Sequence, residues 1–371
     1  MRTLTALVAL ICTLALGVPA RAAVAATPAF NSTVWALAFR GDIVYVGGSF
    51  TEVSFRGRTY ERKRLAAFSA RTGAVLPWNP SANGTVRSLA VTVTGRPAVY
   101  AAGDFDTVAG ARRDSLARID AATGRLDRFS HTVSGEVSTL TVGNGRVYIG
   151  GAFSRIDGAA RRNIAAFSHA TGRLDRSFHP GADGRVRALA VTRTRLYVGG
   201  DFHRLNGTTR ARLAAVTPAA GRLVTAFRPA APHLVMDIAL SPTGISTATG
   251  GPGGRAVGYT PSGTVRWTHL FDGDVHNLAV LGGTTFVGGH FDRACRTTST
   301  IRQLGCPAGY ASRVKLASLD SAGRLTAWNP RANGRIGVHV LTADAARGRI
   351  GAGGAFTSIG GSGKYRFALF G

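Results

Sequence analysis

The chain has 371 residues, with 45 Lys and Arg against 19 Asp and Glu, and a formal charge of +26. Apolar residues make up 45% of it and glycine takes 49 positions. That much apolar surface can form a core and excludes a disordered chain, and the lack of a Gly-X-Y period excludes collagen.

The first element is an apolar run over residues 4–16, behind Arg2 and ahead of Ala-x-Ala sites ending at Ala22 and Ala25. This is the pattern of a secretory signal peptide, placed at residues 1–26, and it is too short for a membrane span. The expectation is a secreted chain with no membrane anchor, a single domain over residues 27–371, and a monomer.

From residue 34 onward a repeat organises the sequence. A Val-x-x-Leu-x-Val element runs over 34–39, 86–91, 137–142 and 186–191, loosely over 235–240, closely over 275–280 and weakly over 336–341. A Gly-Gly-x-Phe element, or one close to it, ends at Phe50, Phe105, Phe153, Phe202, Phe291 and Phe356, and decays to Gly250, Gly251 and Pro252 in the fifth copy. The starts at 34, 86, 137, 186, 235, 275 and 336 define the units. Each unit holds four short, β-branched, alternating segments; in the fourth these are 186–191, 195–199, 213–216 and 222–227. Four strands per repeat of about 40–50 residues is the arithmetic of a propeller blade. The predicted fold is all-β, a seven-bladed β-propeller of four-stranded blades. The seventh unit stops at its third strand, so residues 28–30 are expected to supply the missing outer strand and close the ring. Phe30, Trp78, Phe178 and Trp328 read as one repeated packing position between blades. Asn83 and Asn206, each before glycine, read as turn residues.

The stretch LYVGGDFHRLNGTTRARLAAVTPAAGRLVTAFRP, residues 196–229, resembles the delta-60 repeat, a β-propeller family also known as a domain of unknown function. The resemblance extends over almost all of the chain after residue 26 and is poorest in the fifth unit. It implies a propeller of the kind common in secreted or surface bacterial proteins, and it brings no catalytic residue with it.

Cys295 and Cys306 lie eleven positions apart and read as one disulfide formed in an oxidising compartment. The nucleophile elbow, the zinc-protease helix, the P-loop and the dinucleotide fingerprint do not occur. No cofactor or metal is expected.

Two constellations remain. Asp237 and Asn277 stand where the first four units have Ala36, Ser88, Thr139 and Ala188, and Asp272, Asp274 and His276 lie close by in sequence. These are the axial polar candidates. They support the alternative of an extracellular enzyme acting on glycans near units five and six, which needs two acids facing one pocket. The second constellation is basic. Arg62, Arg113, Arg161, Arg210, Arg313 and Lys364 each lie three residues before a third-strand anchor, and Arg112, Arg162, Arg212, Lys315 and Arg366 lie beside that register. Symmetry would arrange them as a ring on the loops between strands two and three. An arginine there can fork onto carbonyls of a neighbouring blade or attract a polyanion. The functional expectation is a secreted, non-catalytic binding or surface-interaction module. Its expected partner is an anionic cell-wall polymer, an extracellular polysaccharide or a protein, with nucleic acid less favoured. A purely structural surface protein is the other alternative.

Overall fold

Alternating apolar residues fold each repeat unit into a small antiparallel sheet. In the computed structural model, which describes residues 27–92 and 95–371, the segment expected to be a signal peptide lies outside the described residues. The first unit sets Val34–Arg40, Ile43–Gly48 and Leu65–Ser69 side by side. The fourth repeats this with Val186–Val191, Leu196–Gly200 and Leu213–Val216. The expected outer strand at 222–227 shrinks to one bridge, Val216 to Leu223, and the first, second, third and sixth units show the same reduction. Only the fifth unit, among the described residues, keeps a full outer strand, with Leu234–Ser241, Gly244–Gly250, Arg255–Tyr259 and Val265–Leu270 in order. The copy that matches the repeat least therefore forms the fullest sheet. Its counterparts of the glycine pair are Ala248 and Thr249, not Gly250 and Gly251, because Asp237 pairs with Ala248 and Val235 with Thr249.

The seventh inner strand is Val338–Asp344, two residues later than the pattern placed it. Gly337 takes a φ of 74° just before it and Ile336 is left exposed.

The glycine pairs mark close approaches rather than flexible turns. A Cβ at Gly200 would stand 2.1 Å from the carbonyl oxygen of Arg185 in its own unit, and one at Gly199 would stand 2.5 Å from Val235 Cγ1 of the next. The second contact recurs between Gly353 and Val34 at 2.5 Å, so the last unit meets the first as each unit meets its successor. The inner strands pack in chain order, and Val338–Asp344 packs on Val34–Arg40. The core is accordingly divided into clusters that lie between successive sheets. Tyr45 and Tyr148 tie sheets together by donating their hydroxyls to Ala121 O and Pro218 O of the following units, at 2.6 and 3.1 Å.

The N-terminal strand departs from expectation. Ala29–Phe30 pairs with Glu52–Phe55 of the first unit, not with the third strand of the seventh. Its link to the seventh unit is the Phe30 N–H, which donates to Tyr365 O at 3.2 Å. Phe30 therefore aligns with Ala82, Ala182, Phe271 and Ala332, which bridge to the equivalent hairpins, and not with Trp78. Trp78, Phe178 and Trp328 instead pack edge-on against Tyr45, Tyr148 and Phe286 at 5.1, 5.3 and 5.0 Å.

Candidate functional site

The inner strands of all the repeat units line one open cavity of about 1100 Å³. Each carries a valine near its start and bulges directly after it. Val34 pairs with Gly48 and Ala36 with Gly47, which leaves Trp35 as the extra residue. The same shift isolates Arg87, Ser138, Arg187, Met236, His276 and His339. A bulge takes its extra residue out of the ladder and re-aims the side chain, and all of these residues line the cavity. Among them only His276 was expected. The available signal was that this position varies among Trp, Arg, Ser, Met and His while the valine before it does not.

At the mouth these side chains form a connected wall. Trp35 Nε1 donates to Ser49 Oγ at 2.9 Å, and its ring lies 4.0 Å from His339. His339 lies 5.7 Å from His276 with the planes 2° apart, and His276 lies 6.5 Å from His290. The Arg87 guanidinium sits 5.6 Å from the Trp35 ring and pairs with Asp104 at 2.6 Å. Arg185 pairs with Glu136 at 2.8 Å and Arg187 with Asp201 at 2.9 Å. Burial, reinforced by His276, pushes His339 down to about 4. Burial also lowers His276, against the pull of Asp274. Both imidazoles are therefore neutral at pH 7.

One residue further along each strand lies the ring that holds Asp237 and Asn277. Asp237 Oδ2 accepts the Leu278 N–H at 3.0 Å, Asn277 Oδ1 accepts the Leu341 N–H, and Ser88 Oγ accepts the Leu140 N–H at 3.1 Å. Each side chain thus joins its strand to the backbone of the next unit. Burial pushes the Asp237 carboxyl up to about 6, although the Leu278 and Ile238 amides oppose it. The other carboxylates lining the cavity, Asp104 and Glu136, are the ones paired with Arg87 and Arg185.

The remaining axial candidates lie off the axis. Asp272 Oδ1 accepts the Asp292 and Arg293 amides at 2.9 Å. Asn31, Asn83, Asp183 and Asn333 hold the corresponding hairpins in the same way. This corrects the reading of Asn83 as a turn residue, whereas Asn206 and Gly207 do form a left-handed pair at φ 51° and 74°. Burial alone would raise the Asp272 carboxyl, but the Arg293 amide and guanidinium hold it below its ordinary value. Asp274 Oδ1 accepts the Gly251 N–H at 3.0 Å.

The basic register recurs in space, but the partners of its arginines are backbone carbonyls of the same unit. Arg62 donates to Glu61 O and Leu76 O at 2.8 and 3.0 Å, and Arg113 to Arg112 O and Asp127 O at 2.6 Å. Arg161 reaches Ala160 O and Asp175 O at 2.8 and 3.4 Å, and Arg313 reaches Ser312 O and Thr326 O at 2.8 and 2.7 Å. Arg210 donates to Thr209 O at 2.9 Å, and Lys364 to Thr27 Oγ1 at 3.4 Å. The fork therefore clamps a hairpin to its own outer segment and not to a neighbouring blade. Arg212, Lys315 and Arg366 occupy a left-handed position just before the third strand, at φ 65°, 65° and 70°. Lys315 pairs with Asp292 at 2.8 Å, and Arg366 donates to Ala355 O. Arg112 and Arg162 are exposed. Cys295 and Cys306 are bonded and close the long hairpin loop of the sixth unit.

Among the described residues, no group of three or more His, Cys, Asp and Glu side chains could hold a metal ion, and no helix is long and apolar enough to cross a membrane. No family model matches the chain, and no curated protein matches it. The computationally designed Ika8 protein superposes with a TM-score of 0.55 at 13% identity, over 94% of this chain and 99% of that one. The WD40 β-propeller domain of Doa1 superposes with a TM-score of 0.55 at 10% identity, over 93% of this chain and 96% of that one. The chain is an all-β, propeller-like protein built of small antiparallel sheets, distantly similar in fold to a WD40 propeller.

Proposed function

We propose that the chain is a secreted, monomeric, seven-bladed propeller of the delta-60 type that serves as a non-catalytic binding module for an anionic polymer. In this reading the ring closes where Phe30 links the first and last units. The observation that carries the function is the clamped basic ring. Arg62, Arg113, Arg161 and Arg313 are held by neutral carbonyls, so their charges stay uncancelled in a chain of +26. Cations fixed in one ring meet a flexible polyanion at several points together, and weak contacts then add. Exposed Arg112 and Arg162 extend that field outward. The glycan-cleaving alternative is weaker, because the two-acid mechanism needs a free partner for Asp237 and the other lining carboxylates are bound to arginines.

Retention on immobilised teichoic acid and on polygalacturonate tests the reading. Binding should fall at least about tenfold between about 0.05 and 0.5 M salt, as a multi-point ionic contact does. Arg112→Ala/Arg162→Ala should weaken it several-fold while leaving the fold intact. Salt-independent retention, or equal retention of the double variant, refutes the basic ring as the contact.

A further inference from the structure

At the mouth of the cavity this strongly basic chain pairs its arginines with carboxylates. Arg87 is matched by Asp104, Arg185 by Glu136 and Arg187 by Asp201. An anion entering here would have to displace a carboxylate already paired at 2.6–2.9 Å. His276 and His339 add no charge at neutral pH, since burial holds both below the ordinary imidazole value.

The bulge positions add a second, independent observation. The residue before each bulge is valine in every unit, and the residue two after it is leucine or isoleucine. Packing dictates both. The bulged residue after the valine is Trp35, Arg87, Ser138, Arg187 and Met236 in the first five units and histidine in the last two. Drift at a solvated position would collect lysine, glutamate, serine and asparagine. Here a tryptophan, a methionine and two histidines are kept half-buried at a cavity wall. His276 Nδ1 and His339 Nε2 are buried without hydrogen-bond partners, so these two rings meet the cavity as apolar, aromatic surface.

We propose that the bulge ring at the mouth is a binding site for an uncharged oligosaccharide, centred on Trp35, Arg87, Ser138, His276 and His339. A sugar hydroxyl is both donor and acceptor. A guanidinium locked beside a carboxylate, as at Arg87 and Asp104, offers the matching donor and acceptor at fixed positions. The Ser138 hydroxyl extends the same bonding, while Trp35, Met236 and the stacked rings of His276 and His339 supply apolar surface for the C–H faces of a pyranose. The cavity is wide enough for two or three sugar rings. The proposal is independent of the polyanion reading, which uses hairpin arginines outside the mouth.

Calorimetric titration of the chain with maltohexaose, cellohexaose and N-acetylchitohexaose tests it, with hexagalacturonate as the charged counterpart. At least one neutral hexamer should bind, with affinity changing less than about twofold between about 0.15 and 0.5 M NaCl, because no ionic contact is made. His339→Ala should weaken that binding about tenfold or more, and Arg112→Ala should leave it unchanged. Ser138→Tyr, which fills the mouth from a half-buried position, should abolish binding even if His339→Ala unfolds the chain. Absence of binding by all three neutral hexamers up to about 10 mM overturns the proposal. So does mouth-dependent binding of hexagalacturonate alone, and so does neutral binding that survives Ser138→Tyr.

Discussion

Single residues carry two sharp stability predictions. Gly199 and Gly200 look alike in sequence, but their surroundings differ. Ala102 and Ala248 occupy the first position in the second and fifth units, so Gly199→Ala should be tolerated within about 1–2 kcal/mol. The second position is glycine in every unit but the fifth, which has Thr249. In the fourth unit a Cβ at Gly200 would meet the fixed carbonyl of Arg185 at 2.1 Å, and the chain should lose more than about 3 kcal/mol or fail to fold. Thermal melts of the two variants compare them directly. Asp237 gives a pH signature. Its folded value of about 6 lies above the 3.8 of a free carboxyl. Its stabilising contribution is therefore full below pH 3.8 and is lost as pH rises through 6. Asp237→Asn keeps an acceptor for the Leu278 amide, as Asn277 does for Leu341. It should be more stable relative to wild type at pH 8 than at pH 4, by at most about 3 kcal/mol. An unchanged difference between denaturant titrations at the two pH values would remove burial as the cause.

At the scale of elements, the short N-terminal strand matters more than its length suggests. Phe30 is 2% exposed and packs on Phe50 at 4.8 Å and on Phe367 at 6.4 Å, so one ring joins the first unit to the last. Phe30→Ala should cost about 3–5 kcal/mol, far more than Leu304→Ala on the exposed sixth-unit loop. Equal melting temperatures for the two variants would contradict the clasp. The strand candidates were legible because alternation and β-branching recur in every copy. The outer strands were overcalled: a residue such as Leu223 keeps its alternating neighbours but makes only one bridge. The seventh inner strand was misplaced for a local reason, since Ile336 mimics the repeat's first valine while Gly337 breaks the backbone before Val338.

For the whole molecule, 45 cations against 19 anions make self-repulsion a general destabilising term. Raising salt from about 0.02 to 0.3 M should therefore raise the melting temperature, because screening relieves repulsion more than it weakens scattered exposed pairs. A fall over that range would mean that the paired mouth, not the net charge, dominates the electrostatics of stability. By itself the sequence determined the all-β repeat, its approximate period and the basic register, because each arises from a pattern that recurs from unit to unit. The tertiary structure alone decided what those residues face. The arginines turn out to grip carbonyls of their own unit, Asp272 holds a hairpin, and Phe30 bridges the chain's two ends. It also revealed the bulge ring, since a bulge exists only between two paired strands and a cavity wall exists only where separate sheets converge.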